Sequence, residues 1–209
     1  MSHDVRRHPA VILASESPRR RELLRRICSE FRVEPSGIEE VLHGAPTGET
    51  VATLALAKAR AVAARGGEGV VLGADTVVVV DGQALGKPGD VEAAHAMLRR
   101  LRGREHDVIT GLAVVDAATG RSATSAVVTR VLMAGVSDAE IDAYVATGEP
   151  LDKAGGYAIQ GQGAALVAGF VGSYSNVVGL PLAATAALLR AFGVPVSAPG
   201  TTGGARSRA

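Results

Sequence analysis

Cys28 is the only cysteine in this chain, which rules out an internal disulfide and any multi-thiolate metal site. The five histidines are scattered, with no zinc-type spacing among them. No apolar stretch reaches the roughly 18 residues that a membrane span needs. The basic N-terminus is not followed by a signal-type apolar core. An excess of one charge is lacking too: 22 basic against 21 acidic residues leave a formal charge of +1. No overall field therefore marks a partner of nucleic acid or of a membrane surface. Together these absences lead us to expect a cytoplasmic chain. What is present is hydrophobic content of 47% over 209 residues, enough for one sizeable core.

The most informative stretch is Val70-Val71-Leu72-Gly73-Ala74-Asp75-Thr76-Val77-Val78-Val79-Val80. β-branched residues at this density predict a strand inside a sheet. One carboxylate sits among them. Unpaired, it would cost several kcal/mol, so Asp75 needs a cationic partner, a metal ion or an open cleft. The plain alternative is an Asp at a strand end or bulge, bonded to backbone amides.

Around this strand the chain alternates helix and strand without a strict βαβ rhythm. Ala10 to Ala14 reads as a short buried strand, followed by a helix from about Pro18 to Cys28 and a second short strand at Phe31 to Val33. Thr50 to Arg65 carries apolar residues at helical spacing and ends at Gly66-Gly67. Asp81-Gly82 predicts a tight hairpin that returns through Gln83 to Gly86. Asp90 suits the N-cap of a helix running to Leu101, and Gly103 stops it. Strands near 107–116 and 124–134 follow, joined by Ala118-Thr119-Gly120. Ser137 and Glu140 have the spacing of a capping box for a helix to about Thr147. Glycine-rich strands and turns occupy 154–180, and a last helix runs from Leu182 to Phe192. The fold class predicted is α/β, a mixed twisted sheet flanked by helices. Residues 10–195 are expected to form a single domain, between a flexible N-terminus (1–9) and a disordered tail (196–209) of Gly, Ser, Ala, Thr and two arginines.

A second candidate site is the turn Ala14-Ser15-Glu16-Ser17-Pro18-Arg19-Arg20. Ser17 suits an N-cap and Pro18 the first helical position. Arg19 and Arg20 then fall in the first turn, where the helix dipole disfavours cations by roughly 0.3–1 kcal/mol each. Free N–H groups and two guanidiniums at one helix start suit a phosphate chain. A solvated basic face is the bland reading. Lys87 follows the hairpin and returns towards the level of Asp75 if the hairpin forms. Lys58 lies in an apolar helical run, where a snorkelling lysine is the default. Glu39-Glu40, in an expected loop, offers oxygen ligands to Mg²⁺ or is simply solvated. Lys153, Gln160 and Asn176 are polar residues in glycine-rich segments, where backbone can approach a ligand closely. Cys28 reads as inert packing. One poised Asp, further carboxylates, several cations and no Ser-His-Asp set suit metal-assisted attack of water on phosphate better than acyl transfer.

Taken together, four blocks resemble the Maf family of nucleoside triphosphate pyrophosphatases. They are Leu13-Ala14-Ser15-x-Ser17-Pro18-Arg19-Arg20-x-Glu22-Leu23-Leu24, Gly73-Ala74-Asp75-Thr76-Val77, Gly86-Lys87-Pro88 and Asp152-Lys153-Ala154-Gly155-Gly156-Tyr157-x-Ile159-Gln160-Gly161. Lys58-Ala59 and Val178-Gly179-Leu180-Pro181 match more weakly. The resemblance implies two lobes around a cleft, a divalent cation (Mg²⁺ or Mn²⁺), frequent homodimers, and cleavage between the α- and β-phosphates by water attack on the α-phosphate. It implies that Asp75 is the proton acceptor and that Ser15, Arg19, Lys58 and Lys87 hold phosphates or order the site. Glu40, with Asp75, would bind metal. Arg20, Thr76 and Gln160 fall where the branch acting on dTTP and UTP carries specificity residues. That branch implies clearance of unwanted or modified pyrimidine triphosphates. Gly156 departs from the Ala of many relatives.

Three rival readings remain at this stage. A phosphatase with an aspartyl-phosphate normally needs a second Asp two residues from the first, and position 77 is Val77. A nucleotide-sensing regulator of cell division would not need Asp75 for its effect. A pyrophosphatase for purine or modified nucleotides keeps the chemistry and changes the base.

Overall fold

In a computed structural model, which describes residues 8–41 and 45–198, the valine-rich run forms strand β3 (Val70–Val80) and the rest of the sheet is built on it. The other elements are β1 (Val11–Leu13), α1 (Pro18–Arg25), β2 (Arg32–Val33), α2 (Gly48–Ala63), β4 (Gln83–Leu85), α3 (Val91–Leu101), β5 (Glu105–Asp116) and β6 (Ser122–Met133). They continue with α4 (Asp138–Val145), three short 3-10 turns between Glu149 and Leu166, β7 (Val167–Val171), α5 (Tyr174–Val178) and α6 (Leu182–Ala191). Most of the segment expected to be a flexible N-terminus, and nearly all of the expected disordered tail, lie outside the described residues.

Seven strands form one mixed sheet in the order β2-β1-β3-β5-β6-β7, with β4 also on β3. β1 runs parallel to β2 and β3, and the remaining pairings are antiparallel. This is the α/β class read from the sequence. One edge of β3 is shared: β1 pairs with Val70 to Leu72, and β4 pairs with Val78 to Val80. Among the described residues Gly73 to Val77 therefore have no strand partner on that edge, and Asp75 and Thr76 lie in the notch.

Strand alternation then decides what faces where. Val70, Leu72 and Ala74, with Leu112 and Val114 of β5, pack against α1 and α6 in one apolar cluster. Val78 and Val80, with Val108, pack against α3 and α4 in a second cluster. Thr76 stands opposite Thr110 in the ladder, on the same face and between the two clusters. The two clusters are the expected lobes, and their seam is polar. Odd-numbered residues, Val71 and Val77 among them, face α2.

The expected caps form. Asp90 Oδ1 accepts from Ala93 N at 2.7 Å, and Ser137 and Glu140 cap each other. Two bounds differ. α2 starts at Gly48 rather than Thr50, because Thr47 and Thr50 form a reciprocal cap. α1 stops at Arg25 rather than Cys28, the chain leaving in a turn in which Ile27 and Cys28 both donate to Leu24 O. Within the glycine-rich stretch, β7 and α5 are the regular elements.

Candidate active site

The notch in β3 opens into a cleft of about 490 Å³, lined from both lobes. Asp75, on the face of β3 turned to α2, is only 4% exposed. α2 reaches it because two glycines let the helix lie directly on the sheet. A Cβ at Gly73 would collide with Ala55 O, and one at Gly111 with the backbone of Val51 and Ala52. At this separation Lys58, also 4% exposed, extends from α2 to Asp75. Its Nζ donates to Asp75 Oδ1 at 2.5 Å and to Glu40 Oε1 at 2.8 Å. Lys58 is thus a buried ion-pair partner and not the snorkelling lysine expected from the apolar run. Its partner lies on another element, which helix periodicity does not reveal. Glu40, in the loop after β2, is bonded through Oε2 to Lys87 Nζ at 3.5 Å. The hairpin does return Lys87 to this level, since Leu85 pairs with Val78.

One ammonium serving two carboxylates separates their acidities. Burial pushes the Asp75 carboxyl above its ordinary value, and Lys58 and Arg20 only partly oppose it. Burial acts on Glu40 in the same direction, but Lys58, Lys87 and Arg20 together outweigh it and hold Glu40 below its ordinary value. The two carboxylates are thus shifted in opposite directions, Asp75 up and Glu40 down. Among the described residues its Oδ2 accepts no hydrogen bond from the protein, so that oxygen faces whatever enters the cleft.

Ser17 caps α1 through a bond from Arg20 N at 3.4 Å. The Arg20 guanidinium is engaged on three sides. Nε donates to Gly179 O at 2.9 Å, one terminal nitrogen to Ser15 Oγ at 3.2 Å, and the other to Thr76 Oγ1 at 3.1 Å. Burial pulls its pKa down, against the pull of Asp75 and Glu40. Arg19 points to the mouth instead, 34% exposed, with Asp152 Oδ2 at 3.6 Å. Of the two arginines proposed as a phosphate receptor, only Arg19 is placed as an open one, and Arg20 ties α1 to β3 and to the Gly179 turn.

The remaining wall combines Val78, Val108, Tyr157, Ile159, Gln160 and Val177. Lys153 lines it too, but its Nζ is bonded to Glu149 O and Asp152 Oδ1, both at 2.6 Å. Asn176 is elsewhere: fully buried in the seam, it donates to Val108 O and Thr129 Oγ1, both at 2.9 Å. Cys28 is buried in the first cluster, as expected of inert packing. Glu39 is exposed in the same loop and does not line the cleft. Sequence reasoning assigned no role to Asp152, Thr110 or Tyr157. Thr110 bonds Thr76 at 2.9 Å, and Tyr157 is held by His106 Nε2 at 2.7 Å. The alternation of β5 was the only signal for Thr110, whereas Asp152 and Tyr157 stand in the fourth motif block without a role of their own.

Among the described residues no three His, Cys, Asp or Glu side chains come together as a metal cage. Asp75 and Glu40 do share one cleft, joined through Lys58. Mg²⁺ is commonly held by one or two carboxylates together with substrate phosphates. This donor set fits a cation shared between protein and nucleotide, for which Asp75 and Glu40 would be the protein ligands.

Compared with known proteins, residues 10–192 match the family model described as Maf-like protein. A protein of Moorella thermoacetica named dTTP/UTP pyrophosphatase is 54% identical over 187 residues, covering 89% of this chain and 96% of that protein. One of Anaeromyxobacter dehalogenans (strain 2CP-C) with the same name is 54% identical over 191 residues, covering 90% and 96%. One of Pelotomaculum thermopropionicum, also so named, is 49% identical over 187 residues, covering 89% and 98%.

Proposed function

Because the chain belongs to the Maf-like family, we propose that it hydrolyses dTTP and UTP between the α- and β-phosphates, releasing the nucleoside monophosphate and diphosphate. The observation that carries the reading is the buried Asp75 carboxylate, paired with Lys58 on one oxygen and open to a cationic cleft on the other. Asp75 takes the proton from a water whose oxygen bonds to the α-phosphorus. The bond to the bridging oxygen then breaks, and diphosphate leaves with the electron pair. A base must be ionised to act and strong enough to hold the proton; burial raises the affinity of Asp75 for a proton, and the ion pair with Lys58 favours its anionic form. Arg19, Lys58 and Lys87 lower the cost of charge building on the leaving diphosphate. Ser15 and Arg20 keep the floor of the site in place. A divalent cation on Asp75 and Glu40 would neutralise further phosphate charge.

The apolar wall of Val78, Val108 and Ile159 suits a base, and Gln160 offers both a donor and an acceptor to its polar edge. That pairing supports pyrimidine-2,4-diones, including modified ones, as the substrate class. No described helix is long and apolar enough to cross a membrane. We assign the chain to the cytoplasm, in keeping with its buried free thiol.

The test is release of diphosphate from dTTP and UTP with Mg²⁺ or Mn²⁺. Asp75→Asn should lower kcat by about 10²–10⁴, the usual worth of a positioned base. Release of inorganic phosphate, or activity untouched by Asp75→Asn, would reject the reading in favour of an aspartyl-phosphate enzyme or a sensing module respectively.

A further inference from the structure

Lys58 stands where a cation between the two carboxylates would have to stand. Its Nζ touches Asp75 Oδ1 and Glu40 Oε1 together, and its side chain is 5% exposed. Such a lysine is not a mobile surface charge that drifts aside. The surroundings reinforce it: the cleft is lined by the cations Arg19, Arg20, Lys58, Lys87 and Lys153 and by the acids Glu16, Glu40, Asp75 and Asp152. Three of those acids are already paired with these cations, Glu40 with both Lys58 and Lys87. A divalent ion arriving alone would meet neutralised carboxylates and unrelieved repulsion from several fixed positive charges.

We propose that Lys58 acts as a resident surrogate for the metal: it keeps the Asp75–Glu40 pair closed to free divalent cations, and the cation binds only as its complex with the triphosphate. The phosphates supply what the swap requires. They bring negative charge for the ammonium to turn to, and they carry the metal's remaining ligands with them. Glu40 Oε1 and Asp75 Oδ1 are released from the ammonium in the same event, so both become available to the metal only when substrate is in place. This order of binding protects the carboxylates from idle metal. The nucleotide's identity rests on the pyrophosphatase reading, but the behaviour of the free protein does not.

The experiment is titration of the full chain with Mn²⁺, followed by loss of the free-ion electron paramagnetic resonance signal. It is run on wild type, Lys58→Met and Lys58→Gln, each checked for folding by circular dichroism. Wild type alone should leave Mn²⁺ unbound at this site, and should take up one ion when the uncleavable α,β-imido analogue of dUTP is added. Removing the ammonium should make Mn²⁺ binding without nucleotide tighter by about tenfold or more, and adding Glu40→Gln should cancel that gain. Two results overturn the proposal: wild type binding Mn²⁺ as tightly without the analogue as with it, or neither neutral variant binding it more tightly than wild type. A protein that fails to cleave dTTP but passes this test would refute the substrate and leave the surrogate role standing.

Discussion

At the scale of single residues, the site depends on how few charges are left free. Arg20 is the clearest case. Read from the sequence it is one of two guanidiniums at a helix start, and in the fold its three donors are taken by Gly179, Ser15 and Thr76. A lysine could not span those acceptors, because the planar fork is what matches them. Arg20→Lys should therefore lower kcat and raise KM for dTTP nearly as much as Arg20→Ala. Recovery of normal kinetics by Arg20→Lys would mean that only its charge is used. His106 gives a second residue-scale prediction, on stability. It is 4% exposed, and burial holds it at about 4, down from 6.5, so the folded protein keeps it neutral. The folded pKa is depressed, and the unfolded chain binds the extra proton first. Its contribution is thus whole above about pH 6.5 and is lost as pH falls towards 4. The shift corresponds to about 3 kcal/mol across that window. Urea denaturation at pH 7 and pH 4.5 should show His106→Gln losing distinctly less stability on acidification than wild type. Equal losses would place the acid sensitivity elsewhere.

Elements bring the site together, and the decisive one is α2 against β3 and β5. The apolar spacing of the helix was legible, as were the valine run, the Asp81-Gly82 hairpin and the caps at Asp90 and Ser137, since each is a local preference. The register between helix and sheet was not. It depends on Gly73 and Gly111, two strand glycines whose meaning appears only when α2 lies on them. For the same reason helix periodicity alone read Lys58 as an ordinary lysine, and only the family resemblance gave it a place in the site. The return of Lys87 towards Asp75, by contrast, was legible from the Asp81-Gly82 hairpin, though its register came only from the pairing of Leu85 with Val78. Gly73→Ala should destabilise the protein by about 1–3 kcal/mol, the usual cost of forcing a methyl into a packed interface. It should also reduce kcat, because the helix that moves carries the partner of Asp75. Full stability and activity in this variant would show that the close approach is not needed.

For the whole molecule, the notable feature is a polar seam through an otherwise apolar sheet face. From Arg20 the hydrogen bonds pass to Thr76, then Thr110, Asn176 and Thr129, and the last three are fully buried. Breaking these buried bonds is costly, so the chain favours one arrangement of the two lobes, although Asn176 Oδ1 itself is left without a partner among the described residues. Arg20, Thr76 and Asn176 were singled out in the sequence, but their bonding was not readable, because the members come from α1, β3, β5, β6 and α5. The cleft lies where this seam meets the notch between β1 and β4, and it places Asp75 beside the cationic groups. That placement leads to the central claim, water attacking the α-phosphorus with Asp75 as base. Turnover of dTTP in oxygen-18 water tests it most directly. The account requires the heavy oxygen in thymidine monophosphate and an unlabelled diphosphate. Label in the diphosphate would put the attack on the β-phosphorus and contradict it.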